Sequence, residues 1–408
     1  MAELPFNISV STEELDSLQE RLNLTHFPDE LENADWAYGA PLADIKRLVS
    51  RWKDGYDWRK HEALLNAELP QFTRDIRVEG FGTLNVHYVH KRSTLEGAIP
   101  LLFVHGWPGS FIEVRKIIPL LTEVHSDRPS FHVVALSLPG YGFSEGPKKK
   151  GFQLAQYAEV CNNLMIALGY HEYVTQGGDW GSMITRKIAT LYGGKHSKAW
   201  HTNFPMVAPP EFSLNPLRLL SALSMLVPLL WLSASEKAAL ARTQEIQRTG
   251  FGYFGIQSTK PQTLGYGLAD SPVGLLAWIY EKLVAWTDKY PWDDDEVLTW
   301  ISLYWFSRAG PAASLRIYYE VTAEKGILPS VYGPHPTIPL GFSCFTGELV
   351  NLPLNWVRRT GNVVFETEHE MGGHFAAHEV PELLVGDLRK MFGRGGPAYG
   401  VVANSVGY

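Results

Sequence analysis

An aspartate set between glycines, in Gly177-Gly-Asp179-Trp-Gly181-Ser, is the stretch of this 408-residue chain best suited to chemistry at carbon. Tyr173, Val174 and Thr175 before it are strand formers, and Ser182-Met-Ile-Thr-Arg-Lys-Ile-Ala after it has helical character. A sharp strand-to-helix turn leaves no room for a Cβ on either side of its central residue, which accounts for glycine at 177 and 181. Such a turn lifts the central side chain above the sheet edge, beside the backbone N–H groups that begin the helix. A serine there would attack carbonyls. A carboxylate attacking carbon makes an alkyl ester, so the fitting substrate is an electrophilic carbon that carries a leaving group. Taken alone, the same stretch also fits a glycine-rich loop with a helix-capping aspartate.

A base and its partner lie downstream. In Glu368-His369-Glu370-Met-Gly-Gly-His374 the histidines are five apart and separated by Gly-Gly, which excludes the His-Glu-x-x-His zinc helix. A Gly-Gly turn that sets His374 at a strand end suits a general base. Glu348, in Thr346-Gly-Glu-Leu, closes the preceding strand and can hold the other imidazole nitrogen. The order nucleophile, acid, histidine is that of α/β-hydrolases.

The elements that must position these groups alternate. Ile99–Val104 and Phe131–Ser137 read as buried apolar strands, with helices over Val114–Leu121 and Gln153–Leu168; this alternation predicts a mostly parallel sheet. The first strand ends in His105-Gly-Trp-Pro-Gly-Ser110, a loop where α/β sheets place their sites. Pro339–Phe345 and Asn362–Glu366 read as the last strands, and Glu379–Phe392 as a closing helix. Residues 1–90 read as a separate wrapping segment that does not begin with the sheet. It holds helices over 11–22, 42–52 and from Trp58, then a hairpin of Phe72–Val78 and Leu84–His90. His87 and His90 on that hairpin are expected to be edge-strand residues, not metal ligands. From Pro205 to about Ser330 the chain is Leu-, Trp- and Tyr-rich with a helical pattern, as a cap inserted into the sheet domain would be. Its apolar run Leu217–Leu232 holds Arg218 and Pro228 and falls short of the roughly 20 residues that a membrane span needs. A buried cap helix is expected there, and a homodimer through the cap remains an option.

Composition narrows the function class. A net charge of −7 with no sustained basic stripe argues against a nucleic-acid partner, and Lys148–Lys150 reads as a solvated loop. Cys161 and Cys344 cannot build a disulfide framework and sit in apolar surroundings, as buried thiols do. No basic-then-apolar signal opens the chain, so a cytoplasmic protein without a membrane partner is the default expectation.

Together these stretches resemble an epoxide hydrolase of the microsomal type, in its soluble, fungal-like form. The likeness covers nearly the whole chain. It is carried by Asp54-Gly-Tyr-Asp-Trp-Arg-Lys60, His105-Gly-Trp-Pro-Gly-Ser110, Gly177-Gly-Asp-Trp-Gly-Ser182 and Gly372-Gly-His-Phe-Ala-Ala377. It implies an α/β-hydrolase fold with an N-terminal segment at 1–90, core at 91–204, helical cap at 205–330 and core again at 331–408. It further implies Asp179 as nucleophile, His374 as base, Glu348 as its partner, and two cap tyrosines as acids. The best matches for the tyrosines are Tyr253 and Tyr318, with Tyr266 and Tyr319 as neighbouring alternatives. The backbone N–H groups of Trp107 and Trp180 would meet the oxyanion, and no metal or cofactor is required. The expected substrates are hydrophobic epoxides, with water as co-substrate. A haloalkane dehalogenase shares the Asp-Trp pair but needs indole donors for a halide, whereas the cap tyrosines suit an epoxide. A non-catalytic hydrolase-fold receptor for a small molecule is the other alternative, and the intact nucleophile–acid–histidine set weighs against it.

Overall fold

Period-two alternation at 71–91 and short apolar runs further on build, among the described residues, a single sheet of nine strands. The computed structural model describes residues 3–207, 232–322 and 335–408. The strands are β1 Leu4–Phe6, β2 Gln71–Val78, β3 Gly82–Lys91, β4 Ile99–Val104, β5 Phe131–Leu136, β6 Tyr173–Gly177, β7 Ser197–Thr202, β8 Pro339–Gly347 and β9 Asn362–Gly373. Their spatial order is β1-β2-β3-β5-β4-β6-β7-β8-β9. The pairs from β1 to β5 are antiparallel, and those from β5 through β4 to β9 are parallel. All of β4 is buried, as a parallel strand covered on both faces must be. The chain leaves β4 for β5 on one side and reaches β6 on the other. That reversal opens a crevice at the strands' carboxyl ends, the usual ligand position in such sheets.

The helices, in chain order, are α1 Thr12–Asn23, α2 Leu42–Asp54, α3 Trp58–Glu68, α4 Ile117–Thr122, α5 Leu154–Ala167 and α6 Asp179–Tyr192. Between β7 and β8 follow α7 Ala234–Thr249, α8 Gly252–Thr259, α9 Pro261–Asp270, α10 Pro272–Ala285, α11 Asp294–Trp305 and α12 Arg316–Thr322. The last are α13 Leu354–Val357, α14 Ala376–Glu379 and α15 Pro381–Phe392. Most of the apolar run Leu217–Leu232 lies outside the described residues. Among the described residues no helix is long and apolar enough to cross a membrane.

A reciprocal cap starts α1: the Glu14 N–H donates to Ser11 Oγ at 3.2 Å, and the Ser11 N–H donates to the Glu14 carboxylate at 3.0 Å. The N-terminal helices reach the helices between β7 and β8. Arg51 holds Asp295 through two bonds of 2.8 and 2.9 Å, Tyr280 donates to Asp44 at 3.0 Å, and Arg21 pairs with Asp270. Exposed pairs of this kind fix position more than they stabilise.

Several expectations change. The sheet begins at Leu4, not after residue 90, because β3 pairs with β5 in the register Tyr88↔Leu136 and brings the whole hairpin into the sheet. Strand β3 is therefore interior, and His87 and His90 are not edge residues. The His87 ring meets Ser137 Oγ at 2.8 Å and Gln71 Oε1 at 3.0 Å, while His90 meets Glu3 and Tyr170, both at 2.9 Å. Strand β9 runs seven residues beyond Glu366, so His369 belongs to it, 2.6 Å from buried Asp387. The turn at Phe111–Arg115 is a 3₁₀ helix that precedes the shorter α4. Cys161 is buried, but Cys344 is only half-buried.

Candidate active site

Asp179 is the first residue of α6, one residue past the Gly178 cap, and its φ of 48° is the left-handed conformation that non-glycine residues rarely adopt. The turn is closed by contact: a Cβ on Gly181 would lie 1.8 Å from the Val104 carbonyl oxygen, and one on Gly177 2.5 Å from that of Gly181. Gly106 clears space for the carboxylate itself, since a Cβ there would lie 2.1 Å from Asp179 Oδ1. The Trp107 N–H donates to Oδ1 at 2.7 Å. Trp180 follows in the first helical turn, where N–H groups lack partners within the helix.

His374 stands one residue beyond β9, with Nε2 3.5 Å from Asp179 Oδ2. Its Nδ1 meets Glu348 Oε1 at 2.6 Å, which places the proton on Nδ1 and turns Nε2 toward Asp179. Glu348 follows β8 directly and is buried. Burial of the imidazole disfavours its charge, but the carboxylates of Glu348 and Asp179 outweigh this and hold its pKa well above the usual value. Asp179, Glu348 and His374 thus converge from the carboxyl ends of β6, β8 and β9.

Tyr253 on α8 and Tyr318 on α12 come to the same place, with ring centroids 5.9 Å apart. Trp107 stacks on Tyr253 at 5.3 Å, and Trp180 meets Tyr318 edge-on at 4.8 Å. Both phenols are buried, and their pKa values rise well above 10, chiefly through burial and further through the Asp179 charge, so both keep their protons. The neighbouring candidates point away: Tyr266 is 71% exposed and Tyr319 39%. Those two line an open groove of about 700 Å³ on the outer face of the helical layer, whose lining includes none of Asp179, Glu348 or His374.

The profile described as epoxide hydrolase N terminus matches residues 3–114, and that described as alpha/beta hydrolase fold matches residues 99–219. Epoxide hydrolase 1 of Sus scrofa is 36% identical over 416 residues, covering 95% of this chain and 88% of its own. The chain belongs to the epoxide hydrolase family. Two solved structures agree with it over nearly their full length. The epoxide hydrolase of Aspergillus niger is 35% identical with a TM-score of 0.81, covering 95% of each chain. The juvenile hormone epoxide hydrolase of the silkworm Bombyx mori is 31% identical with a TM-score of 0.84, covering 95% of this chain and 93% of its own. The expected family, α/β-hydrolase fold and enzyme class all hold.

The sequence does not single out three residues that pack around this candidate site. Trp286 packs edge-on to His374 at 5.1 Å, and its carbonyl accepts the His374 N–H at 2.9 Å. Asp288, two residues on, continues the seam: the Gly372 N–H donates to Asp288 at 3.1 Å, and the Asp288 N–H to Glu379 at 2.8 Å. Asn203, just after β7, donates to the His374 carbonyl at 3.4 Å and accepts from Gln176 at 2.8 Å. Glu113, a buried acid in the 3₁₀ turn, lines the same cavity as Asp179 and His374. Only Glu113 left a signal in the sequence, as an acid among Phe111, Ile112 and Val114.

Proposed function

We propose that this epoxide hydrolase opens its substrate by attack of Asp179 on an oxirane carbon, giving a hydroxyalkyl ester and then a vicinal diol. The observation that carries the reading is a carboxylate at the elbow, one oxygen held by the Trp107 N–H and the other turned to His374, within electrostatic reach of two buried phenols. Tyr253 and Tyr318 hydrogen-bond the ring oxygen and protonate the alkoxide as the C–O bond breaks. Oδ2 becomes the ester oxygen and Oδ1 the ester carbonyl. His374, oriented by Glu348, takes a proton from water, which attacks that carbonyl. The Trp107 N–H, joined by that of Trp180, stabilises the oxyanion, a contribution worth about 10²–10³-fold in rate for one such donor. Collapse breaks the bond to Oδ2, and the His374 proton passes to that leaving oxygen to release the diol. The remaining proton of the attacking water, left on the Asp179 carboxyl, restores the phenol that gave its own. The aromatic walls formed by Trp107, Trp180, Tyr253, Trp286 and Tyr318 favour hydrophobic epoxides.

The route predicts where the product oxygen comes from. In a single turnover in heavy-oxygen water, with enzyme in excess over styrene oxide, the diol emerges mostly unlabelled because its new oxygen was Oδ2 of Asp179. The label enters the peptide that contains Asp179, and later turnovers release labelled diol. Labelled diol in the first turnover, with an unlabelled peptide, would overturn the nucleophile assignment in favour of direct attack by water.

A further inference from the structure

The small cavity beside Asp179 contains a group that the reaction as written does not use. Glu113 is 92% buried, being 8% exposed, and its Oε1 has no hydrogen-bond partner among the described residues. The cavity it lines is shared with Asp179, His374, Gly178 and Asn203, and leaves about 10 Å³ for the centre of a solvent molecule, the room of one water. His374 Nε2, on the same cavity, likewise has no hydrogen-bond partner of good geometry. Asn203 Oδ1 accepts from Gln176, and its Nδ2 donates to the His374 carbonyl.

We propose that Glu113 is a positioning residue for the water that hydrolyses the Asp179 ester. The inference rests on the covalent reading above. A water that attacks an ester carbon gives one proton to the base and a lone pair to the carbon, so its second O–H needs an acceptor. Asn203 Oδ1 already accepts from Gln176, whereas Glu113 supplies on this cavity a carboxyl oxygen, Oε1, that has no hydrogen bond among the described residues. Holding that O–H while His374 Nε2 takes the other proton fixes the lone pair on the carbonyl carbon. Burial, reinforced by the Asp179 charge and opposed by His374, pushes the Glu113 carboxyl up to about 8. It is therefore neutral at pH 7 and stands beside Asp179 without repelling it. Above that pH it ionises and sets a second negative charge beside the forming oxyanion.

The test separates ester formation from ester hydrolysis in the full-length enzyme, by rapid quench and intact mass after mixing with styrene oxide. Glu113→Leu forms the ester at the wild-type rate and hydrolyses it about 10²-fold more slowly, the scale of a misplaced reactant. Glu113→Gln, which keeps an acceptor oxygen, restores hydrolysis to within about tenfold of wild type. On the alkaline side of the rise set by His374, the wild-type hydrolysis rate falls as Glu113 ionises, and the Gln variant lacks that fall. Hydrolysis by the Leu variant at the wild-type rate would overturn the proposal, as would equal slowing of both steps or a Gln variant as slow as Leu. Should the Leu variant not fold, the pH profile of Glu113→Gln decides, and retention of the fall there would count against Glu113. Absence of any ester, even in His374→Gln enzyme, would instead refute the covalent reading.

Discussion

Replacement of His374 by glutamine is expected to leave the enzyme stalled as its Asp179 ester, visible as an adduct of intact mass one epoxide heavier. Glutamine fills much of the imidazole's space but cannot take a proton from water, so hydrolysis should slow by about 10²–10⁴-fold, the usual worth of a general base. On the proposed route ester formation would depend on Asp179 and the phenols and should persist. A pH effect follows from the charges around the ring. Burial works against the imidazolium, while Glu348 and Asp179 favour it and prevail in the free enzyme. On the proposed route, esterification would remove the Asp179 charge, so the imidazole would lose part of the support for its proton at the moment a base is needed. The sign is fixed: hydrolysis rises with pH as His374 deprotonates, and its apparent pKa lies below that of His374 in the free enzyme. Single-turnover hydrolysis over a pH series, set against an NMR titration of the free enzyme, measures both. A His374→Gln enzyme that turned over at the wild-type rate would place the base elsewhere.

The core of the candidate site is legible in the sequence because backbone sterics constrain it. Glycine at 177 and 181 answers contacts that a Cβ could not survive, and the order Asp179, Glu348, His374 follows from successive parallel strands, each ending at the same sheet edge. Strand β9 was read too short for a physical reason. It is the outermost strand, and Glu366, Glu368 and Glu370 break up the apolar alternation as charges on edge strands do. The pairing of β3 with β5 joins residues almost fifty apart, and no local pattern encodes it. The choice between Tyr318 and Tyr319 was likewise closed to sequence. Adjacent helical residues point about 100° apart, and only packing decides which turns inward. Trp286 and Asn203 act through backbone or amide contacts with the His374 turn, for which residue type gives no sign.

Removal of both phenolic hydroxyls should nearly abolish ester formation while leaving the fold intact. Each phenylalanine substitution, Tyr253→Phe or Tyr318→Phe, is expected to slow alkylation by about 10²-fold, the lower range for a general acid. The pair should cost far more than either, because a lone donor can still meet the alkoxide and no donor cannot. Stability should not confuse the result. The Tyr318 hydroxyl makes no hydrogen bond of good geometry among the described residues, its polar neighbours being Trp180 and Tyr253, so its loss breaks no strong bond, and the ring contacts with Trp107 and Trp180 remain. Both phenols hold their protons far above neutral pH, so alkylation should show no phenol ionisation near pH 7. Tyr266→Phe and Tyr319→Phe serve as controls that should alkylate at the wild-type rate, because those hydroxyls face the outer groove. The rate is best read in the His374→Gln background, where the ester accumulates and only its formation is timed. Undiminished ester formation in the double variant would remove the acid role from both tyrosines. A single variant as inactive as the pair would assign it to one phenol alone, with the other left to pack against the site.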